Sequence, residues 1–136
     1  MASRVDRARD DDRRDEVLGP WFSIALAGAR IWLPNLPARR RAVRLHDLHH
    51  LATGYPTTWT GEAELAAWEL AGGTAGHLIA FALDLGTVLV GCAIAPRRTL
   101  RAFRRGRRER NLYREGWRDD LLDLTVDQLR ARLDVV

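Results

Sequence analysis

Residues 37–73 decide the fold of this chain; they read PARRRAVRLHDLHHLATGYPTTWTGEAELAAWELAGG. Pro37 suits the first turn of a helix, and we expect that helix to cover about residues 38–52. After a polar turn, the pattern predicts a second helix over about residues 61–70, which Gly72-Gly73 ends. The stretch therefore predicts two helices joined by a tight turn.

Three side chains on the first of these helices share one face. At about 100° per residue, Asp47 lies about 100° and His50 about 40° from His46. Two histidines four residues apart on a helix lie close enough to bind the same metal ion. Glu62 follows His50 after eleven residues, and a tight turn would fold it back over the pair. His46, Asp47, His50 and Glu62 are therefore the candidate metal ligands.

This set of two imidazoles and two carboxylates suits zinc, iron or manganese more than calcium. We expect zinc, with iron and manganese as alternatives. Other interpretations stay open, because Asp47 could pair with Arg44 and Glu62 could be a first-turn acid favoured by the helix dipole. His49 points about 60° away from His46, and we interpret it as a packing or rim residue.

The most apolar stretch is residues 70–95, in which only His77 and Asp84 are ionisable. One helical stripe there consists of Leu78, Phe81, Leu85, Val88 and Cys92. A membrane span is disfavoured, since Asp84 near its middle would cost about 2.5–3.5 kcal/mol on the insertion scale. We expect a core helix or helix pair lining an apolar groove, with His77, Phe81 and Asp84 as candidate groove residues.

The remaining segments also favour helices. The apolar residues 17–33 predict a buried or interfacial helix, residues 97–111 an Arg-rich helix, and Thr125 to Gln128 a capping box that starts the last one. We find no alternating strand pattern. The expected fold is all-α, a compact domain of five to six helices over residues 17–136, after a charged leader at residues 1–16.

The net charge of +4 is unevenly distributed. All 22 basic residues are arginines, and residues 97–114 hold nine of them with one acid, which gives +8 there and −4 elsewhere. The candidate patch for a membrane surface or an acidic partner is Arg97, Arg101, Arg104, Arg105 and Arg108. A solvated basic face is the alternative. A nucleic-acid-binding module is disfavoured because the rest of the chain is acidic.

The single cysteine, Cys92, excludes an intrachain disulfide and a Cys-rich zinc site. The first 16 residues contain five arginines and six acids and no apolar segment, which argues against a secretory signal. We therefore expect a cytoplasmic protein, located in part at the inner face of the cell membrane.

The histidine and glutamate motif resembles that of a known family. His46-Asp47-Leu48-His49-His50, followed after eleven residues by Glu62, resembles the signature of the Coq4 family of coenzyme Q biosynthesis. Further similar segments are Leu51 to Gly54, Trp68-Glu69, Phe103 to Arg108, Asn111 to Tyr113, and Trp117. The resemblance covers about residues 37–134. Only 45 residues precede His46, so we expect a short version that lacks much of the family's N-terminal region.

The resemblance implies a helical protein that binds a divalent metal through His46, Asp47, His50 and Glu62. It also implies peripheral membrane contact, a homodimer or a biosynthetic complex, and a polyprenylated quinone precursor or lipid as ligand. The implied reaction is oxidative decarboxylation at ring carbon 1, a metal-dependent lyase activity. A non-catalytic lipid-binding or prenyl-binding scaffold of a membrane-associated complex is the alternative from another functional class.

Overall fold

The computed structural model describes residues 19–26 and 29–136. By its internal contacts the chain divides into two compact units, residues 1–40 and 41–136. The elements are β1 (Trp21–Leu26), β2 (Ala29–Pro34), α1 (Pro37–Thr53), α2 (Trp59–Gly72), α3 (Leu78–Ile94), α4 (Pro96–Gly106) and α5 (Val126–Arg132). Two 3₁₀ helices, Leu112–Arg114 and Asp119–Asp123, precede α5. The five α-helices confirm the predicted helical fold class, and the charged leader lies outside the described residues.

The helix predicted over residues 17–33 is wrong where the structure describes it, because β1 and β2 form an antiparallel hairpin. Their register runs from Trp21 opposite Pro34 to Leu26 opposite Ala29. Aromatic and β-branched residues favour strands, and in the sequence only Ala27-Gly28 separates the two segments, a spacing typical of hairpins. Short apolar runs do not distinguish a helix from a strand by periodicity alone.

The helix–turn–helix prediction is confirmed in α1 and α2. Thr58 caps α2 by accepting a hydrogen bond from the Gly61 N–H at 3.2 Å. Residues 63–69 of α2 are all buried, and α2 packs against α3 and α4. The core of this unit surrounds Trp68, whose indole N–H donates to Glu109 at 2.7 Å. α2 is therefore the central helix of residues 41–136.

The prediction of a core helix in the apolar stretch is only partly right. α3 is one continuous helix, but the stripe residues Leu78, Phe81 and Leu85 are exposed, whereas Asp84 and Gly91 are buried. A Cβ on Gly91 would lie 2.5 Å from Ala63 Cβ, so this glycine lets α3 approach α2 closely. The polar face of α3 thus faces the protein.

No helix among the described residues is long and apolar enough to cross a membrane.

The Arg-rich helix α4 ends at Gly106, five residues before the predicted end at Asn111. A Cβ at Gly106 would lie 2.2 Å from the Trp68 carbonyl oxygen, so the packing of α4 on α2 requires glycine there.

The capping box predicted at the start of the last helix, α5, is confirmed. The Thr125 N–H donates to Gln128 Oε1 at 2.8 Å, and the Gln128 N–H donates to Thr125 Oγ1 at 3.2 Å.

Candidate metal centre

The turn between α1 and α2 brings Glu62 back over α1. Gly61 makes this turn possible, because a Cβ there would lie 1.9 Å from the Pro56 carbonyl oxygen. His46 and His50 lie one helical turn apart on α1, and their rings meet edge to face at 4.8 Å between centroids. Glu62, in the first turn of α2, faces both rings. The local sequence thus places three ionisable side chains together.

The carboxylate of Glu62 bridges the two imidazoles. Its Oε2 lies 3.1 Å from His46 Nε2, and its Oε1 lies 3.2 Å from His50 Nε2. One ligand atom from each of the three residues lies within 4.8 Å of the others. These three side chains could therefore hold a metal ion.

The hydrogen on His50 can be assigned from its second nitrogen. His50 Nδ1 lies 2.9 Å from the Tyr55 carbonyl oxygen, which can only accept a hydrogen bond. Nδ1 therefore carries the hydrogen, and in the neutral ring Nε2 presents its lone pair towards Glu62. His50 Nε2 is buried, and with the ring neutral neither this nitrogen nor the Glu62 oxygen 3.2 Å away carries a hydrogen.

A buried acceptor nitrogen facing a carboxylate is unfavourable unless a cation lies between them. A proton or a metal ion can fill that role, so the donor set fits a divalent metal. A neutral His46 ring with its hydrogen on Nδ1 would likewise point a lone pair at Glu62. Two imidazole nitrogens and a carboxylate are common ligands of zinc and of other transition metals.

The pKa values of the cluster also favour a positive charge beside Glu62, because those of the two histidines are raised and that of Glu62 is lowered. Burial of the His46 ring disfavours its charged form, but hydrogen bonds to Glu62 and Glu69 outweigh this and raise the pKa of His46 to about 10. The pKa of His50 is also raised, by Glu62 and the Tyr55 carbonyl against the effect of burial. Hydrogen bonds from His46 and His50 outweigh burial and lower the pKa of Glu62 to about 2.

Asp47, the fourth predicted ligand, is exposed on α1. Among the described residues, two groups bring metal-ligand atoms within 4.8 Å of one another: His46, His50 and Glu62, and His46, Glu69 and Asp84. Asp47 belongs to neither group. The structure thus brings three of the four predicted ligands together, and the role of Asp47 stays a prediction.

Sequence reasoning missed Glu69 as a site residue. It lies seven residues after Glu62, two turns along the same face of α2, and that spacing is the signal that could have identified it. Glu69 is fully buried and contacts the far nitrogen of His46 at 3.0 Å. His49, interpreted from the sequence as a packing or rim residue, is also fully buried and contacts Glu69.

A pocket of about 240 Å³ opens beside the cluster. Its lining is mostly apolar, and its polar groups include His46, Glu62 and Asp84. Asp84 is 4% exposed, and its Oδ2 atom has no hydrogen-bond partner among the described residues. Burial, and then the charge of the neighbouring Glu69, raise the pKa of Asp84. The polar face of α3 therefore supplies an acid to the pocket.

The three predicted groove residues occupy different environments. Only Asp84 lines the pocket. His77 is half-buried at the start of α3, with its ring 5.3 Å from that of Tyr113, and Phe81 is exposed.

Four of the five predicted patch arginines, Arg97, Arg101, Arg104 and Arg108, are exposed on or just after α4. Arg105 is half-buried instead, and it donates to Glu109 at 2.8 Å and to the Thr53 carbonyl at 3.2 Å. Arg101, Arg104, Arg105 and Arg108 line one surface depression together with Glu109 and Asp134. The structure thus exposes four of the five predicted arginines on one basic face, whereas Arg105 also stabilises the packing of α4.

No family model, no curated protein and no solved structure matches this chain.

Proposed function

We propose that this protein binds one divalent metal ion and acts in isoprenoid-quinone biosynthesis, in the oxidative decarboxylation of a polyprenylated benzoate ring intermediate. The observation that carries the proposal is the position of the Glu62 carboxylate, whose oxygens lie 3.1 Å from His46 Nε2 and 3.2 Å from the buried His50 Nε2. The reaction class comes from the resemblance of the His46 to Glu62 motif to the Coq4 family.

His46, His50 and Glu62 would hold the ion, with Asp47 as the candidate fourth ligand. Zinc is the proposed metal, and iron and manganese suit the same donors. A bound ion would supply Lewis acidity that polarises a carboxylate or phenolate oxygen of the ring. The ring carboxyl group would leave as CO₂ and a hydroxyl group from water would replace it, while an external two-electron oxidant such as dioxygen takes up the two electrons and two protons. His46 and Glu62 both line the pocket, so a ring bound there would lie beside the residues that would hold the ion.

The volume of the pocket suits the benzoate ring of the proposed substrate rather than the ring together with its polyprenyl tail. At about 240 Å³ it is smaller than the roughly 300–1,000 Å³ of pockets that enclose a drug-sized ligand. Its apolar walls would contact the ring, and Asp84 would hydrogen-bond a ring hydroxyl or carboxyl group. Leu83 lines this pocket and is also half exposed, so a polyprenyl tail could leave past it onto the outer face of α3.

The outer face of α3 and the basic face of α4 support contact with a lipid surface. Leu78 and Leu89 are 76% and 65% exposed, an unusual arrangement for so apolar a helix. Each arginine of α4 near an anionic surface would contribute about 1 kcal/mol. We therefore place the protein at the inner face of the cell membrane, as a peripheral component.

Metal titration tests the first half of the proposal. Isothermal titration of chelator-treated protein with Zn²⁺ should show about one ion per chain, and Glu62→Gln should abolish that binding. Glu64→Gln is the matched control, since Glu64 lies on the same helix but pairs with Arg98 at 2.7 Å. Asp47→Asn, measured in parallel, decides whether Asp47 supplies the fourth ligand. A wild-type protein without zinc affinity contradicts the proposal.

A quinone-intermediate profile of a deletion strain tests the second half. We expect a polyprenylated ring intermediate that retains its carboxyl group to accumulate. Wild-type protein and Glu64→Gln should remove it, and Glu62→Gln should not. An unchanged quinone profile after deletion would contradict a role in this synthesis.

A non-catalytic prenyl-binding scaffold is the second candidate, and the exposed apolar face of α3 favours it. Full rescue of the deletion strain by Glu62→Gln would support the scaffold over the enzyme. Loss of rescue on replacing Leu89 by Gln, with metal binding intact, would show that the α3 face is needed separately.

A further inference from the structure

We propose that Glu69 is a positioning residue, which holds the His46 ring with its hydrogen on Nδ1 and its Nε2 lone pair directed at the metal position. The inference rests on the proposed metal site. Glu69 is fully buried on α2, and its Oε1 and Oε2 atoms lie 3.1 and 3.0 Å from His46 Nδ1. A carboxylate can only accept there, so the hydrogen of His46 belongs on Nδ1.

The anchor of this arrangement is a backbone N–H sixty-three residues along the chain from His49. The Leu112 N–H donates to His49 Nε2 at 2.8 Å, so that nitrogen is an acceptor. His49 must then carry its hydrogen on Nδ1, which lies 2.5 Å from Glu69 Oε1. Since a backbone amide cannot reverse its polarity, it fixes the tautomer of His49.

The His49 ring is also held in place by packing. It is fully buried, and the rings of Trp68 and Tyr113 lie 5.1 Å away, both roughly edge to face. The chain of contacts therefore runs from Leu112 through His49 to Glu69, and every donor in it has an acceptor. Glu69 receives hydrogens from His49 and from His46, which compensates a buried carboxylate without any metal.

Glu62 and Glu69, both on α2, thus contact opposite nitrogens of the His46 ring. Glu62 faces His46 Nε2 at 3.1 Å, and Glu69 faces Nδ1 of the same ring. Such a carboxylate behind a metal-binding histidine sets the ring orientation and increases its basicity, and its loss typically lowers metal affinity about 10–100-fold.

An alternative assignment makes Glu69 a ligand of a second ion. Ligand atoms of His46, Glu69 and Asp84 lie within 4.8 Å of one another. The oxygens of Glu69 already accept hydrogens from His49 and His46, which favours the positioning role. The two assignments predict different stoichiometries, one ion per chain against two.

The test is Zn²⁺ titration of the full chain, wild type and Glu69→Gln, with circular dichroism to check folding. We expect one ion in both proteins and an affinity about 10–100-fold lower in Glu69→Gln. His49→Gln should weaken binding in the same direction, since it removes the link to Leu112. Glu109→Gln is the control, because Glu109 is a largely buried acid that contacts Trp68 and Arg105 instead. Two ions per wild-type chain, or an unchanged affinity in a folded Glu69→Gln, would overturn the proposal.

Nitrogen-15 NMR of the histidine rings adds a readout that a purely structural role would not move. In zinc-bound wild type, His46 should carry a slowly exchanging hydrogen on Nδ1, and in Glu69→Gln that hydrogen should exchange rapidly. In metal-free protein the Nδ1 hydrogens of His46 and His49 should still be protected. This second spectrum tests the positioning role even if zinc does not bind, so failure of the metal site and failure of this inference can be told apart. Unprotected Nδ1 hydrogens in folded wild type would overturn it.

Discussion

Asp84 and Gly91 lie two turns apart on α3 and are both buried, whereas Leu78 and Leu89 of the same helix are largely exposed. Gly91 contacts α2 so closely that no side chain fits between them. This contact turns Asp84 towards the pocket beside His46. The orientation of one apolar helix thus completes the candidate site.

Zinc should stabilise the folded protein. Ligand binding raises the free energy of unfolding by about 2.7 kcal/mol when the free ion is 100-fold above its dissociation constant. A thermal melt with and without Zn²⁺ should show a rise in Tm for wild type and none for His50→Gln. His77→Gln is the control, because His77 lies at the start of α3 and its ring contacts Tyr113. An equal rise in both variants would place the ion elsewhere.

The stability of the metal-free protein should pass through a maximum in mildly acidic solution. The raised pKa of His46 gives stability that is complete below 6.5 and is lost as the pH rises through about 10. The lowered pKa of Glu62 gives stability that is complete above 4.5 and is lost as the pH falls towards about 2. Urea unfolding of chelator-treated protein from about pH 3 to about pH 10, followed by tryptophan fluorescence, measures both limbs. His46→Asn should flatten the alkaline limb; if that limb is unchanged, another group causes it.

Asp84→Asn should stabilise the protein at neutral and alkaline pH. The pKa of Asp84 is raised in the folded state, so its burial increasingly opposes folding as the pH rises above the ordinary value of 3.8. Asparagine has nearly the same shape, stays neutral and can still donate a hydrogen bond. Urea unfolding at about pH 4 and about pH 8 should show a gain that is larger at the higher pH. A loss of stability in alkaline solution would mean that the carboxylate form is favoured in the fold.

The two glycines of α3 should respond in opposite directions to alanine. Gly91→Ala places a Cβ 2.5 Å from Ala63 Cβ and 2.7 Å from Thr99 Oγ1, and such overpacking costs about 1–3 kcal/mol. Gly86→Ala meets no atom within 4 Å, so its higher helix propensity should stabilise by about 0.5–1 kcal/mol. Denaturant unfolding of both variants measures the difference. Equal effects would show that α3 does not pack on α2 at Gly91.

Leucines on α3 and α2 should differ sharply in their contribution to stability. Leu89→Gln, on the exposed face, should change the free energy of unfolding by less than about 0.5 kcal/mol. Leu65→Ala, at a fully buried position of α2, should cost about 2–5 kcal/mol. Urea unfolding compares the two. A large loss in Leu89→Gln would mean that another surface covers α3 in solution, and the effect should then depend on protein concentration.

The sequence alone determined the local features of the protein. Helix spacing placed His46 and His50 on one face, the turn before Glu62 was recognisable from its composition, and the capping box at Thr125 was visible as four residues. These features depend on contacts within a few residues, so short-range periodicity and cap chemistry suffice to predict them. The metal assignment of Asp47 remains a prediction of the same kind.

Only the tertiary structure decided which face of α3 is buried and which acids complete the site. α3 has apolar residues on most of its circumference, so its pattern does not say which side packs; the close approach of Gly91 to Ala63 does. Glu69 becomes part of the site through His49 and the Leu112 N–H, a contact between distant segments that no local pattern encodes. The apolar residues 17–33 predict a helix, but residues 21–26 and 29–34 form the hairpin β1–β2, because cross-strand pairing rather than local periodicity decides the conformation of a short apolar run.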